Sequence, residues 1–244
     1  HLLVKEPGIL AGIEVAARIF RTVDPDVDLD IRLQDGAAVQ PGDIGLVVSG
    51  TVHTILKSER LVLNCMQRMS GIATHTHRIS ERLAGTKARV LDTRKTTPGM
   101  RMLEKWAVRI GGGTNHRQGL YDMIMIKDNH IDFAGGIPEA LNATFAYRAK
   151  QQLDIPVEIE TRNLDEVATV LADGRAHRIM LDNFSPELTR EAVAMVGGSM
   201  ETESSGGITM DTIADYAACG VDFISVGALT HSVKSLDLSL KAIS

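Results

Sequence analysis

Apolar positions keep one rhythm along the first 85 residues of this chain and a different one beyond them. His1-Leu2-Leu3-Val4-Lys5-Glu6 reads as a strand from the first residue, an abrupt start that points to a missing N-terminal stretch. Over residues 11–21, Ile13, Ala16, Ala17 and Phe20 recur at helical spacing. Residues 38–50 read as a turn followed by a strand. Over 57–83 a long helical pattern places Leu61, Leu63, Met66, Met69 and Ile72 on its inward face. Residues 1–85 therefore form a small α+β domain or cap.

From residue 88 short apolar runs alternate with helical patterns. The runs are Val90-Leu91, Met123–Ile126, Ile155–Ile159, Ile179–Leu181, Met200–Thr202 and Phe223–Val226. Helical patterns lie near 100–109, 136–152, 163–173, 186–196 and 209–219. Strand and helix in repeated alternation imply parallel strands joined by right-handed crossovers. Residues 86–244 thus read as an α/β domain, an incomplete (open) parallel β/α barrel, with a doubly wound open sheet as the alternative. The chain's last helix is free in this reading to return to the first domain.

Polar residues follow every run: Asp92-Thr93-Arg94-Lys95, Lys127-Asp128-Asn129, Glu160, Asp182-Asn183, Glu203-Ser204-Ser205-Gly206-Gly207 and Gly227. Parallel strands bring their C-terminal ends to one rim, where barrel enzymes place their chemistry. Cations gather there in Arg94, Lys95, His116, Arg117, Lys127 and His130. The chain as a whole is acidic, with 26 Lys+Arg against 31 Asp+Glu and a net charge of −5. Two like charges about 4 Å apart at an effective dielectric of about 20 repel by about 4 kcal/mol. A cluster of them persists where a multiply charged ligand or fixed carboxylates offset it, so a small, highly anionic substrate is expected. Among the acids, Glu160 and Asp182 at neighbouring strand ends suit Mg²⁺ ligation or capture of sugar hydroxyls. Glu203 is a third candidate, and Glu158 is expected to point away if the strand is irregular. Ser205-Gly206-Gly207 and Gly227 follow the last strands, where backbone N–H groups commonly hold phosphate.

Several classes of function fall away. No apolar run is long enough to span a bilayer. An acidic chain with only 4% aromatic residues argues against nucleic acid as a partner. Neither a nucleotide-triphosphate P-loop nor a dinucleotide-binding glycine fingerprint is present. Cys65 and Cys219 lie in apolar surroundings and read as reduced core thiols, which fits the cytoplasm. His75 and His77, two apart on a helix, point about 200° apart and cannot share a metal. Met66, Met69, Met100 and Met102 read as core filler, and Arg18 and Arg21 as solvated surface cations.

Longer motifs add to this reading. Asp-Thr-Arg-Lys-Thr-Thr-Pro-Gly-Met-Arg (92–101), Asn-His-Arg-Gln-Gly-Leu-Tyr-Asp (115–122), Ile-Lys-Asp-Asn-His (126–130), Leu-Asp-Asn-Phe (181–184), Glu-Ser-Ser-Gly-Gly-Ile (203–208) and Val-Gly-Ala-Leu-Thr-His-Ser (226–232) occur in order. Together they make the chain resemble the quinolinate phosphoribosyltransferases, also called nicotinate-nucleotide diphosphorylases (carboxylating), over essentially its whole length. The family's usual first few dozen residues are absent.

The resemblance implies a sandwich-like N-terminal domain and an open seven-stranded barrel, so six to seven strands are expected here, the seventh near 108–111. It implies phosphoribosyl transfer from phosphoribosyl pyrophosphate to quinolinate with decarboxylation, in NAD biosynthesis. It also implies a homodimer or larger homo-oligomer with shared sites. By motif, Arg60 reaches into the neighbour's site and holds a quinolinate carboxylate. Arg94, His116 and Arg117 complete the clamp beside Thr93, with Lys95 and Lys127 between quinolinate and the ribosyl donor. Glu160 and Asp182 hold ribose hydroxyls and the Mg²⁺-diphosphate. Ser205, Gly206, Gly207 and Gly227 cradle the 5′-phosphate, with His231 near it. Two rivals are a related transferase for another anionic ring, associated with molybdate uptake, and a non-catalytic dicarboxylate- or phosphate-binding protein. The paired 115–122 and 126–130 motifs weigh against the first, and the second has no use for both Glu160 and Asp182.

Overall fold

A computed structural model describes residues 1–243. In chain order the first elements are β1 (Leu2–Val4), β2 (Gly8–Ile9), α1 (Ile13–Val23), β3 (Asp28–Ile31), β4 (Ala38–Val39), β5 (Leu46–Ser49) and α2 (Val52–Arg82). Then come β6 (Arg89–Leu91), α3 (Arg101–Ile110), β7 (Ile124–Ile126), α4 (Asp128–Ala134), α5 (Ile137–Lys150), β8 (Val157–Thr161) and α6 (Leu164–Asp173). The chain ends with β9 (Arg178–Asp182), α7 (Pro186–Val196), β10 (Glu201–Ser205), α8 (Ile213–Ala217), β11 (Phe223–Ser225), α9 (Ala228–His231) and β12 (Leu238–Leu240).

These elements form two compact units, neither continuous in sequence. One holds residues 1–80, 95–115 and those from Gly227 on; the other holds 81–94 and 116–226. The first unit carries three antiparallel strand pairs, β1–β12, β2–β4 and β3–β5. Its core packs Leu2, Ile13, Phe20, Leu46, Leu63 and Met66 out of contact with water. Helix α1 delivers Ile13, Ala16, Ala17 and Phe20 to that core from one face, as its spacing predicts. The expected turn and strand over 38–50 are two short strands, β4 and β5, with a turn between them. The chain's last helix, α9, belongs to this unit, and strand β12 after it pairs with β1.

The second unit is built on six parallel strands in the order β6-β11-β10-β9-β8-β7. A doubly wound sheet would carry its first strand in the interior. Here strands follow each other round in chain order and the ring is left open between β6 and β7, which is the order of an incomplete barrel. No seventh strand exists near 108–111 among the described residues. Ala107 and Val108 continue the helical period of α3 and are buried on its inner face, and Gly111 ends the helix.

Two further expectations are corrected. Leu61 is exposed, because the buried stripe of α2 runs through Val62, Leu63, Met66 and Met69, one position on. Met102 is also exposed, on the outer face of α3, and Met100 is half-buried just before that helix. Cys65 and Cys219 are both buried free thiols. No described helix is long and apolar enough to cross a membrane.

Candidate active site

Buried parallel strands usually read as continuous apolar runs. Three strands of this sheet instead alternate: Val157-Glu158-Ile159-Glu160-Thr161, Arg178-Ile179-Met180-Leu181-Asp182 and Glu201-Thr202-Glu203-Ser204-Ser205. Their register aligns Glu158 with Arg178 and Glu201, Glu160 with Met180 and Glu203, and Asp182 with Ser205. Aligned residues in a ladder share a face. One face of the sheet therefore carries Val157, Ile159, Ile179 and Leu181 with only small hydroxyl side chains (Thr161, Thr202, Ser204) among them, and the other is lined with ionisable groups.

A cluster of buried charges lies deep on that polar face. The Arg178 guanidinium sits over the Phe223 ring, 4.1 Å from its centre, and donates to Glu201 at 2.8 Å and Glu203 at 3.2 Å. His116 Nε2 lies 3.1 Å from Glu158 and 3.4 Å from Glu203. Asp92, at the end of β6, accepts the His116 backbone N–H at 2.9 Å and ties the 115–122 motif to the strand. Burial works against a charged His116, but hydrogen bonds to Glu158 and Glu203 outweigh it and lift the ring to about 9. Burial, then the Glu203 charge, pushes Glu158 up to about 7.

The Arg117 N–H approaches His116 Nδ1 at 2.6 Å, which calls for a lone pair there. That contact opposes a second ring proton at Nδ1. We therefore place the cluster's additional proton between Nε2 and the two carboxylates. The ligand atoms of His116, Glu158 and Glu203 lie within 4.8 Å of one another, close enough to hold a metal. Arg178 donates to Glu203 beside them, so the trio is a buried cluster of ionisable groups with a permanent positive charge at its edge. Glu158 does not point away, and both it and Glu203 belong to this cluster rather than to the strand ends.

Towards the C-terminal ends the side chains change in kind. Arg94 and Arg117 stand close enough that, after burial, the Arg94 charge lowers the proton affinity of Arg117. Arg117 also donates to the Met123 carbonyl at 3.3 Å. Asp122 accepts the Gln118 and Gly119 N–H groups at 2.6 and 2.9 Å, which closes the loop that carries Arg117. Lys127, just after β7, places Nζ 3.0 Å from Glu160 Oε2. His130 Nδ1 accepts the Lys127 N–H at 2.9 Å, so His130 caps α4. Asp182 accepts from Asn183 at 2.6 Å, and Asn183 N–H donates to Ser205 at 2.8 Å. Gly206 has φ +98°, and a Cβ there would collide with the Asn183 side chain. Strand ends β9 and β10 are locked together in a form that only glycine permits. Thr93, Arg94, His116, Arg117, Lys127, Glu160, Asp182, Ser205, Gly206 and Gly207 all belong to this unit.

Arg60, Lys95, Gly227 and His231 belong to the other unit. Three of them meet there: a Cβ on Gly227 would lie 3.1 Å from His231 Nε2 and 3.3 Å from Lys95 Cδ. Gly227 has φ −60° and ψ −31°, open to any residue, so close approach and not backbone shape explains the glycine. Arg60 is exposed on α2 and pairs with neighbouring Glu59 at 3.0 Å. Val52, Leu56 and Leu61, also on α2, are exposed as well.

Models of the C-terminal and N-terminal domains of quinolinate phosphoribosyl transferase match residues 72–241 and 1–70. The chain belongs to the quinolinate phosphoribosyltransferase family. It is 48% identical to "Quinolinate phosphoribosyltransferase [decarboxylating] 1" of Nicotiana glauca, over 99% of this chain and 72% of that protein. It is 43% identical to the "Probable nicotinate-nucleotide pyrophosphorylase [carboxylating]" of Bacillus subtilis, over 98% of this chain and 82% of that one. The crystal structure of NadC from Streptococcus pyogenes superposes with a TM-score of 0.93 at 41% identity, covering 99% of this chain and 84% of the other.

Within this quinolinate phosphoribosyltransferase, motif reading had reached the strand-end cations, acids and glycines. It named Asp92, Glu158 and Glu203 without placing them in a buried cluster beneath the rim, and it missed Arg178. The signal was present as charged residues at every second position of strands that should have been apolar on both faces.

Proposed function

We propose that the chain transfers a phosphoribosyl group from phosphoribosyl pyrophosphate to the ring nitrogen of quinolinate and releases nicotinate mononucleotide, CO₂ and diphosphate. The observation that carries this reading is that Arg94 and Arg117 belong to one unit with Lys127 and that the Arg94 charge is felt at Arg117, beside a buried His116 facing two carboxylates. Adjacent guanidinium groups repel when empty and are relieved by an acceptor with two negative groups, which quinolinate is.

The chemistry needs charge compensation more than a nucleophile. The bond from the anomeric carbon to diphosphate breaks and leaves an oxocarbenium-like ribose. The pyridine nitrogen forms the new bond to that carbon. The ring is then a pyridinium, an electron sink that takes up the pair released when the 2-carboxylate leaves as CO₂, and the ring carbon gains a proton. Lys127 and Lys95 stabilise the departing diphosphate, and Arg94 and Arg117 hold the two carboxylates; His116, expected to join that clamp, has both ring nitrogens turned to Arg117 N–H and the buried carboxylates and instead holds the Arg117 backbone in place. Thr93 completes the first strand end. Glu160 and Asp182 orient the ribose hydroxyls. Ser205, Gly206, Gly207, Gly227 and His231 hold the 5′-phosphate.

Glu160 and Asp182 are hard oxygen donors, one of them already ion-paired with Lys127. That set suits Mg²⁺ carried in with the diphosphate, since Mg²⁺ commonly binds through one or two carboxylates plus substrate phosphates. Bound there, Mg²⁺ neutralises the leaving group.

The enzyme acts as a homodimer or larger homo-oligomer, with Arg60 supplied to the partner's quinolinate clamp. The exposed Val52, Leu56 and Leu61 around it support a second copy as occupant of that helix face. Two buried free thiols support a reducing compartment, and we place the enzyme in the cytoplasm.

Assays with each pyridine carboxylate, with and without Mg²⁺, test the activity. Equimolar CO₂ and diphosphate are expected from quinolinate. Nicotinate lacks the 2-carboxylate and is expected to be a poor substrate; efficient use of it would contradict the clamp. Arg60→Ala and Lys127→Ala, each inactive alone, are expected to regain about a quarter of wild-type turnover on mixing, because half the dimers are hybrids with one intact site. No recovery after verified subunit exchange would refute the shared site. Gly227→Ala keeps an allowed backbone but crowds Lys95 and His231, so the KM for the ribosyl donor is expected to rise with little change for quinolinate.

A further inference from the structure

Glu104, in the first turn of α3, is fully buried with its side chain 0% exposed. Its partner is Arg68 on α2, whose Nε and Nη2 both donate to Glu104 Oε1, at 2.9 and 2.8 Å. Arg68 does more than neutralise this acid. Nη1 donates to the Val233 carbonyl at 3.1 Å, and Nη2 also reaches the Thr230 carbonyl. The other oxygen of Glu104 accepts the Thr97 N–H at 3.0 Å. Thr230, itself fully buried, turns its hydroxyl to the Lys95 carbonyl at 2.8 Å.

These contacts close a ring. From Arg68 it runs through Glu104 to Thr97, back two residues to Lys95, across to Thr230 and home to Arg68. All of it lies in one unit. Lys95 and Thr97 belong to a stretch without helix or strand, and Thr230 sits in the four-residue helix α9 between Gly227 and His231. Neither segment has regular hydrogen bonding enough to define itself. A buried ion pair is a poor source of stability, since apolar residues of similar volume do as well. A planar guanidinium fork, by contrast, can hold a carboxylate and two carbonyls in fixed directions at once.

We propose that Arg68, acting through Glu104 and the Thr230 and Val233 carbonyls, is a positioning residue that sets Lys95 against the Gly227–His231 turn for binding of the ribosyl donor's phosphate groups. The proposal rests on the reading that Lys95, Gly227 and His231 hold that donor. Arg68 touches no substrate in it. It acts on geometry, so the charge alone does not replace it.

Steady-state kinetics of Arg68→Lys, varying donor and quinolinate separately, test it. The ammonium keeps the charge and loses the fork. Donor KM is expected to rise by about tenfold or more, the scale on which small misplacements act. Quinolinate binding, measured by calorimetry without donor, and melting temperature are expected to stay near wild type. Unchanged donor KM in the folded variant overturns the proposal. So does equal weakening of both substrates with a lowered melting temperature, which marks Arg68 as general support. Should Arg68→Lys fail to fold, Thr230→Val carries the same test, since it removes the hydroxyl's bond to Lys95 and its longer contact to the Gly227 carbonyl, both within the ring's target turn, and leaves Arg68 and Glu104 in place. A severalfold rise in donor KM supports the ring and an unchanged value overturns it. Gly227→Ala and His231→Ala separate the two readings. If they leave donor KM unchanged, the phosphate assignment fails; if they raise it while Arg68→Lys does not, the positioning role alone fails.

Discussion

Lys127→Ala is expected to lower turnover by about 10²–10³-fold, the range seen when one preorganised charge is removed from a transition state. Its melting temperature should stay close to wild type. Both halves of this expectation follow from one asymmetry. The Lys127 side chain is 48% exposed and that of Glu160 only 8%, at 3.0 Å. A half-exposed ion pair contributes about 0–1 kcal/mol to folding. In the proposed reaction the same ammonium, held by a buried carboxylate at a strand end, is preorganised for the charge that develops when diphosphate departs. Lys127→Arg should rescue little, because a wide fork does not replace a compact point charge. Initial rates with saturating substrates and calorimetric melting check both halves. Activity within about threefold of wild type would remove Lys127 from the reacting centre.

The positions where sequence reading succeeded share a physical reason. Val90-Leu91, Ile179–Leu181 and Phe223–Val226 are short, β-rich and followed at once by polar turns, so β6, β9 and β11 were legible within a residue or two. The strand ends were legible for the same cause, since a parallel sheet sends every one of them to the same rim. Failures arose where periodicity gives a face and not a partner. Leu61 and Val62 are adjacent on α2, and a stripe shifted by one residue exchanges exposed for buried. Val108-Arg109-Ile110 reads as a strand in isolation and as the end of α3 once Leu103 and Ala107 set the helical period. Arg68, Glu104 and Thr230 are separated by 36 and 162 residues from one another's reach, and no local rule pairs them. The role proposed for Arg60 would depend on a second copy, which the geometry of one chain does not encode.

Glu203→Gln is expected to reshape the pH dependence of stability. Wild-type His116 is lifted to about 9 and Glu158 to about 7, so the folded cluster holds protons that the unfolded chain gives up earlier. The ordinary values are about 6.5 for His and about 4.3 for Glu. A raised folded value contributes stability below the unfolded value and loses it as pH rises through the folded one. The Glu158 contribution therefore fades from about pH 4.3 to about 7, and that of His116 from about 6.5 to about 9. Glu203 is shifted the other way: burial opposes its ionisation, but bonding to His116 and the charges of His116 and Arg178 hold it down. Its contribution is present above the ordinary carboxylate range and lost on acidification below it. Net stability from the cluster should thus decline between pH 6.5 and 9, whichever of Nε2 or the carboxylates carries the shared proton. Replacing Glu203 with Gln removes one of the two carboxylates facing His116. Breaking a buried pair costs about 3–5 kcal/mol, so Glu203→Gln should melt well below wild type near pH 6. Its curve should then run flatter toward pH 9, so the gap narrows there to what the lost Glu203–Arg178 bond, which does not titrate in this range, contributes. Calorimetric melting from pH 5.5 to 9.5 decides it: parallel curves would mean that Glu203 does not set the proton affinity of His116, and that this charge cluster serves packing alone.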